Sequence, residues 1–208
     1  MQYKWINKNN NSNLIVFFNG WGMDERIVEN LNSSDFDVLT FFDYRTFGLP
    51  DINISKYEKK YLVAWSMGVY VCNLFYETFE KFDGYTAING TQKPVDDNFG
   101  IPVNAYNLTV DNFNELTCKK FMKKISVPSE LQNYCPRSLE ELKEELISIR
   151  DLKINNYLPF NKVILSTNDR IFPIKNMLNF WQKTNAQIIK AEAGHYLFDK
   201  YNSWSDLI

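Results

Sequence analysis

Tyr61-Leu62-Val63-Ala64-Trp65-Ser66-Met67-Gly68-Val69-Tyr70 is an apolar run that meets a serine flanked by two small residues. Its first five positions suit a strand buried on both faces of a sheet. Beyond Gly68, apolar residues recur at Val69, Val71, Cys72, Phe75 and Tyr76, the spacing of one helix face. This helix is expected to run to about Phe82. Strand, tight turn with a serine at its tip, helix: the pattern is that of a nucleophile elbow. The turn is strained, so bulky side chains two positions either side of the serine would collide with neighbouring backbone. Ala64 and Gly68 occupy those two positions. The competing reading is a serine that caps an ordinary helix.

The flanking sequence repeats the strand–helix alternation. Leu14 to Phe18 is a continuous apolar strand ending in Asn19-Gly20-Trp21-Gly22. Asp24 to Leu31 reads as a short helix with acids in its first turn. Val38 to Phe42 is a strand ending at Asp43-Tyr44-Arg45, and Tyr85 to Asn89 another, closed by Gly90-Thr91. Gln2 to Trp5 suits an edge strand or hairpin. From about Pro94 to Pro159 the character changes. Prolines and glycines interrupt it through Pro102, and two amphipathic helices follow. One is expected from Asp111 to Ile125; the other starts at Ser138, where Glu141 completes a capping box. The alternation then resumes with a strand at Lys162–Ser166, a helix over Ile174–Thr184 and a strand at Gln187–Lys190. This order argues for an open, mostly parallel α/β sheet spanning residues 1–208, with residues 94–159 inserted as a small helical lid over its carboxyl edge.

Size and composition bound the function. With 208 residues the chain has room for one substantial domain. Twelve tyrosines, sixteen phenylalanines and five tryptophans fill a core and can line a cavity. A net charge of −2 offers no general attraction to nucleic acid. Cys72, Cys118 and Cys135 lack metal-ligand spacing and read as thiols in a reducing compartment, Cys72 as a core residue. Met1 to Ser12 has no apolar signal core, and no apolar run approaches a membrane span. A cytoplasmic protein is the expectation.

In sheets of this kind reactive groups gather beyond the carboxyl ends of the strands. Ser66 would be the nucleophile, and a serine hydroxyl needs a base within hydrogen-bond reach. His195 is the single histidine of the chain, and it follows Gly194 after the last strand; the alternative is a lone packed histidine. Asp169, in a turn ended by Pro173, could accept the Nδ1 proton of His195 and fix its tautomer. Glu192, Asp199 and Asp43 compete for that role, whereas the strand ending at Asn89 offers no acid there. An oxyanion would need donors. The backbone N–H of Met67 is one. That of Trp21 is the natural second, because Gly20 and Gly22 let this backbone approach closely; otherwise Asn-Gly-Trp-Gly is an ordinary turn.

Phe18-Asn19-Gly20-Trp21-Gly22, Ala64-Trp65-Ser66-Met67-Gly68, Asn168-Asp169-Arg170-Ile171-Phe172-Pro173 and Gly194-His195 together resemble the α/β-hydrolases. More narrowly, the compact size and the paired Asn-Gly-Trp-Gly and Trp-Ser-Met-Gly motifs resemble BioG-type pimeloyl-[acyl-carrier protein] methyl ester esterases of biotin synthesis. The resemblance covers most of the chain and is weakest in the insert. Asn19 stands where the wider superfamily has histidine, and Ala64 where it has glycine; neither change removes a backbone N–H. The resemblance implies an α/β-hydrolase fold, a Ser66–Asp169–His195 triad, and Trp21 and Met67 as oxyanion donors. It also implies an acyl-carrier protein as partner, with no metal or organic cofactor. The same triad would serve a general short-chain carboxylesterase or a thioesterase, and the fold without catalysis would be a binding module. A carrier protein is acidic, so a basic docking face is expected. Lys119, Lys120, Lys123 and Lys124 put positive charge on one flank of a lid helix, with Arg137 and Arg150 as further candidates. The alternative is a solvated helix face balancing nearby glutamates.

Overall fold

The computed structural model describes residues 1–48, 50–78, 81–131 and 136–208. Cys135 lies outside the described residues. The strands are β1 (Gln2–Asn7), β2 (Asn13–Phe18), β3 (Asp37–Phe42), β4 (Lys59–Trp65), β5 (Gly84–Ile88), β6 (Lys162–Ser166) and β7 (Gln187–Ala191). They form one sheet in the order β1-β3-β2-β4-β5-β6-β7. Among the described residues only β1 runs antiparallel, as an edge strand on β3. The open, mostly parallel α/β sheet read from the sequence is the one found.

The inner strands are apolar at successive positions because both of their faces are covered. In β2, Leu14 through Phe18 are all inaccessible to solvent. Alternate residues feed two cores: Leu14, Val16 and Phe18 on one face, Ile15 and Phe17 on the other. The strand order reverses between β2 and β4. That is the topological switch point, where a crevice opens beyond the strand ends. The loop after β2 and the turn after β4 both emerge there.

Three helices differ from the sequence expectation. The segment after β2 is a single 3-10 turn, Glu25–Val28, with the Asp24 side chain accepting from the Arg26 N–H. The helix after Ser66 is α1 (Gly68–Val71) continued as a 3-10 turn only to Phe75, not to Phe82. Asn73 explains the early stop. Its amide donates to the Val69 and Tyr70 carbonyls, which a continuing helix would need, and its oxygen accepts from Leu158 and Gln92. Residues 94–159 carry α2 (Val103–Asp111) and α3 (Glu115–Ile125), where the sequence pattern points to one helix from Asp111. Asn112 bonds back to Leu108, and Asn114 starts α3 afresh with a capping box to Thr117. Pro102 was read as a breaker; it stands at the start of α2, where a missing N–H costs nothing. Helix α4 (Leu139–Asp151) begins at Ser138 as expected, and α5 (Ile174–Trp181) follows β6. Among the described residues no helix is long and apolar enough to cross a membrane.

Candidate active site

Ser66 sits at the tip of the β4–α1 turn with φ +57°, a left-handed conformation that costs a non-glycine residue about 1–2 kcal/mol. The surroundings enforce it. The Ser66 N–H is held by the Ile88 carbonyl at 2.9 Å. A Cβ on Gly68 would lie 2.3 Å from the Phe18 carbonyl oxygen, and one on Gly90 2.3 Å from that of Ser66. Glycines are therefore required on both sides for the turn to close against β2 and β5.

His195 and Asp169 meet Ser66 from two other strand ends. His195 Nε2 lies 2.9 Å from Ser66 Oγ, and its Nδ1 lies 2.7 Å from Asp169 Oδ2. The side chains of His195 and Asp169 are 2% and 0% exposed, so the pair is shielded from water. The other oxygen of Asp169 accepts from the Ile171 and Phe172 amides at 2.7 and 3.0 Å, which fixes the carboxylate within its turn. Phe172 stacks on the imidazole at 6.0 Å with an interplanar angle of 5°. None of the competing acids takes Asp169's place. Glu192 is exposed, Asp199 faces Lys200, and Asp43 is bound by Arg45 and Arg137. An Nδ1 proton directed at Asp169 would leave Nε2 as an acceptor facing the Ser66 hydroxyl.

The loop after β2 lies beside the serine. Gly20 N–H donates to the Asn19 side chain at 2.9 Å, and Gly22 N–H to Glu145 at 3.1 Å. The N–H groups of Trp21 and Met67 have no acceptor among the described residues. A cavity of about 470 Å³ opens here, lined in part by Trp21, Ser66 and Met67. Its apolar lining includes Ile101, Ala105, Leu108 and Ile171. Lys120, Lys124 and Arg170 also line it, and no acid does among its described lining residues.

The sequence model of the family described as "Pimeloyl-ACP methyl esterase BioG" matches residues 1–207. The chain belongs to the BioG family. That family is one of carboxylic ester hydrolases. BioG from Haemophilus influenzae has a similar structure, with TM-score 0.90 at 31% identity, covering 100% of this chain and 99% of that one. A malonyl-[acyl-carrier protein] O-methyltransferase of Bacteroides fragilis is 36% identical over 193 residues, 88% of this chain. The chain spans only 39% of the length of that relative. An esterase from Exiguobacterium antarcticum is 16% identical, with TM-score 0.72 over 95% of this chain and 90% of that one, and shares the fold. The fold is the α/β-hydrolase fold.

Sequence reasoning missed several supports of this BioG-family site. The His195 carbonyl accepts from the Trp65 indole at 3.1 Å and the Asn89 amide at 2.8 Å. Asn89 also bonds Ser166 through both of its side-chain atoms, tying the ends of β5 and β6 to the histidine loop. Helix α3 reaches that loop too, since the Tyr196 N–H donates to the Ile125 carbonyl at 2.8 Å. Trp65 and Asn89 were visible in sequence only as a motif filler and a strand end. The four lysines of α3 do not share one environment. Lys120 and Lys124 line the cavity, Lys119 pairs with Glu115 at 2.6 Å, and Lys123 is exposed. Arg137 is no surface docking residue: its side chain is 9% exposed and pairs with Asp43 and Glu145. Arg150 pairs with its neighbour Asp151. Of the cysteines, Cys72 is buried, which pushes its thiol well above the ordinary value, and Cys118 is also buried.

Proposed function

We propose that this chain hydrolyses the methyl ester of pimeloyl-[acyl-carrier protein], giving pimeloyl-[acyl-carrier protein] and methanol for biotin biosynthesis. The observation that carries the reading is the line Asp169–His195–Ser66, at 2.7 and 2.9 Å, opening on an apolar cavity. Ser66 Oγ attacks the distal ester carbonyl while His195 Nε2 takes its proton. The carbonyl oxygen becomes an oxyanion facing the Trp21 and Met67 amides, whose N–H groups are uncommitted. Collapse of the intermediate expels methoxide, which leaves as methanol with the proton from His195. Water then attacks the acyl-serine, His195 accepts its proton, and Ser66 is restored with a carboxylate as product. Asp169 holds the imidazole in its working tautomer throughout. The chemistry calls for no metal or organic cofactor.

The carrier-bound substrate draws support from three sources. The family is described as acting on a carrier-protein ester. The Bacteroides fragilis relative bears the name of an enzyme that methylates an acyl-carrier-protein substrate. The cavity suits an acyl chain along its apolar walls, and its lysines and arginine suit an acidic carrier at its rim. Leu108 and Leu116, 61% and 62% exposed on α2 and α3, add apolar contact beside those charges. In this reading residues 94–159 are the lid of a single domain.

The test is incubation with pimeloyl-[acyl-carrier protein] methyl ester, followed by intact-mass measurement. The carrier should lose one methylene unit and keep its thioester, while Ser66→Ala leaves it unchanged. Release of free acyl chain from the carrier, or an unchanged mass with wild-type protein, would overturn the assignment.

A further inference from the structure

We propose that Glu145, a fully buried carboxylate on α4, is a positioning residue that holds the Trp21 amide in place for the developing oxyanion. The inference rests on the reading of Trp21 as an oxyanion donor. Glu145 is 0% exposed and is not among the residues that line the cavity; it acts through the loop. Its Oε2 accepts the Gly22 N–H at 3.1 Å and receives Arg137 Nη2 at 2.6 Å, and its Oε1 accepts the Tyr44 N–H at 2.9 Å.

Three consecutive amides show what this achieves. The Gly20 N–H is tied to the Asn19 side chain and the Gly22 N–H to Glu145. Only the Trp21 N–H between them has no acceptor among the described residues. With the peptide planes on both sides pinned, the middle one cannot rotate its N–H away from the serine. Gly22, at φ +72°, is the residue whose backbone would otherwise be the loosest in the loop. One turn earlier on the same helix face, the Leu142 carbonyl accepts the Trp21 indole N–H at 2.9 Å. Helix α4 thus grips both the side chain of Trp21 and the backbone that follows it.

A carboxylate is an expensive way to fill that space. Burial pushes Glu145 above the ordinary carboxylate value, and the Arg137 charge and the two amides offset this only in part. A buried ion pair is often replaceable by apolar residues without loss of stability. An aliphatic side chain, however, could not accept two amides from the ends of β2 and β3 at once.

The test compares wild type with Glu145→Gln, which keeps the volume but has only one acceptor oxygen for two amides. A p-nitrophenyl butyrate assay and binding of a trifluoromethyl ketone, which forms a tetrahedral adduct, are the readouts. The expected result is a fall in kcat of at least tenfold, KM within about twofold, and adduct affinity reduced by the same factor as kcat. Ile149→Val, a buried change one turn along α4, serves as the stability control and should leave kcat unaltered. Wild-type kcat and adduct affinity in folded Glu145→Gln would overturn the proposal. If that variant does not fold, Glu145→Asp decides: it keeps the charge for Arg137 but withdraws the oxygens by one methylene. A drop in kcat alone supports the positioning role, and an undiminished kcat sinks it. Fluorophosphonate labelling of wild-type Ser66 separates the two layers. Failure to label removes the serine-hydrolase reading itself, whereas equal labelling rates in wild type and Glu145→Gln remove only the role of Glu145.

Discussion

Replacing Gly68 with alanine tests the geometry on which the whole site depends. The added Cβ would stand 2.3 Å from the Phe18 carbonyl oxygen and 2.6 Å from that of Asn19. Real Cβ contacts do not fall below 3.0 Å, so the two segments must separate by about 0.7 Å. Neither has an easy way to yield. Phe18 is the last residue of a strand buried from Leu14 onward, and the Asn19 N–H is bonded to the Phe41 carbonyl at 3.0 Å. Overpacking against fixed backbone costs up to about 3 kcal/mol. In a domain of this size that lowers Tm by roughly 6–12 °C. The displaced segment leads directly into Gly20 and Trp21, so the Trp21 amide moves relative to Ser66. A misplacement on the order of 1 Å costs about 100-fold in rate. The assay is kcat on a p-nitrophenyl ester beside thermal denaturation by circular dichroism. Gly68→Ala should remain folded at 20 °C and turn over about 100-fold more slowly. Activity within twofold of wild type would refute the claim that the elbow and the loop after β2 are packed to contact.

Other perturbations probe the remaining parts. Ser66→Gly and Ser66→Ala should both abolish turnover, but glycine relieves the φ of +57°, so Ser66→Gly should be the more stable by about 1 kcal/mol in urea denaturation. Asp169→Asn should keep the fold and lose about 10⁴-fold in kcat, because the imidazole tautomer is no longer enforced; the pH-independent rate on a small ester checks this. Charge reversal at Lys120 and Lys124 should weaken turnover of the carrier-linked ester while sparing a small free ester, and equal effects on both would remove the docking idea. Acid should loosen the network behind the site. Burial pushes the Asp43 carboxyl up, but hydrogen bonds from Arg45 and the charge of Arg137 outweigh it and hold it below its ordinary value of 3.8. Its stabilising contribution is therefore complete above that pH and disappears as pH falls below it. In Asp43→Asn, urea denaturation should show a smaller loss of stability between pH 5 and pH 3 than in wild type.

Much of this site could be read from local pattern. An apolar run, a small residue on each side of a serine, and helical spacing afterwards specify strand, sharp turn and helix within ten residues. The parallel sheet followed from the repeated strand–helix order and from the continuous apolar run Leu14–Phe18, which burial on both faces sustains. A single histidine after the last strand and an aspartate after the one before it left few pairings. Helix ends were less legible. Asn73 and Asn112 stop or interrupt their helices through side chains that bond to nearby carbonyls, and composition does not reveal which asparagine will do so.

What the tertiary structure alone decided is how the loops are held. Glu145 reaches Gly22 across 123 residues, Trp65 reaches the His195 carbonyl across 130, and Asn89 reaches it across 106. The same holds for the division of the α3 lysines between cavity and solvent. Sequence periodicity records which face of an element is apolar, because burial acts on each residue near its own backbone. It carries no record of which distant carbonyl or amide a buried polar group will satisfy, because that partner is chosen only when the sheet order and the insert bring the two together.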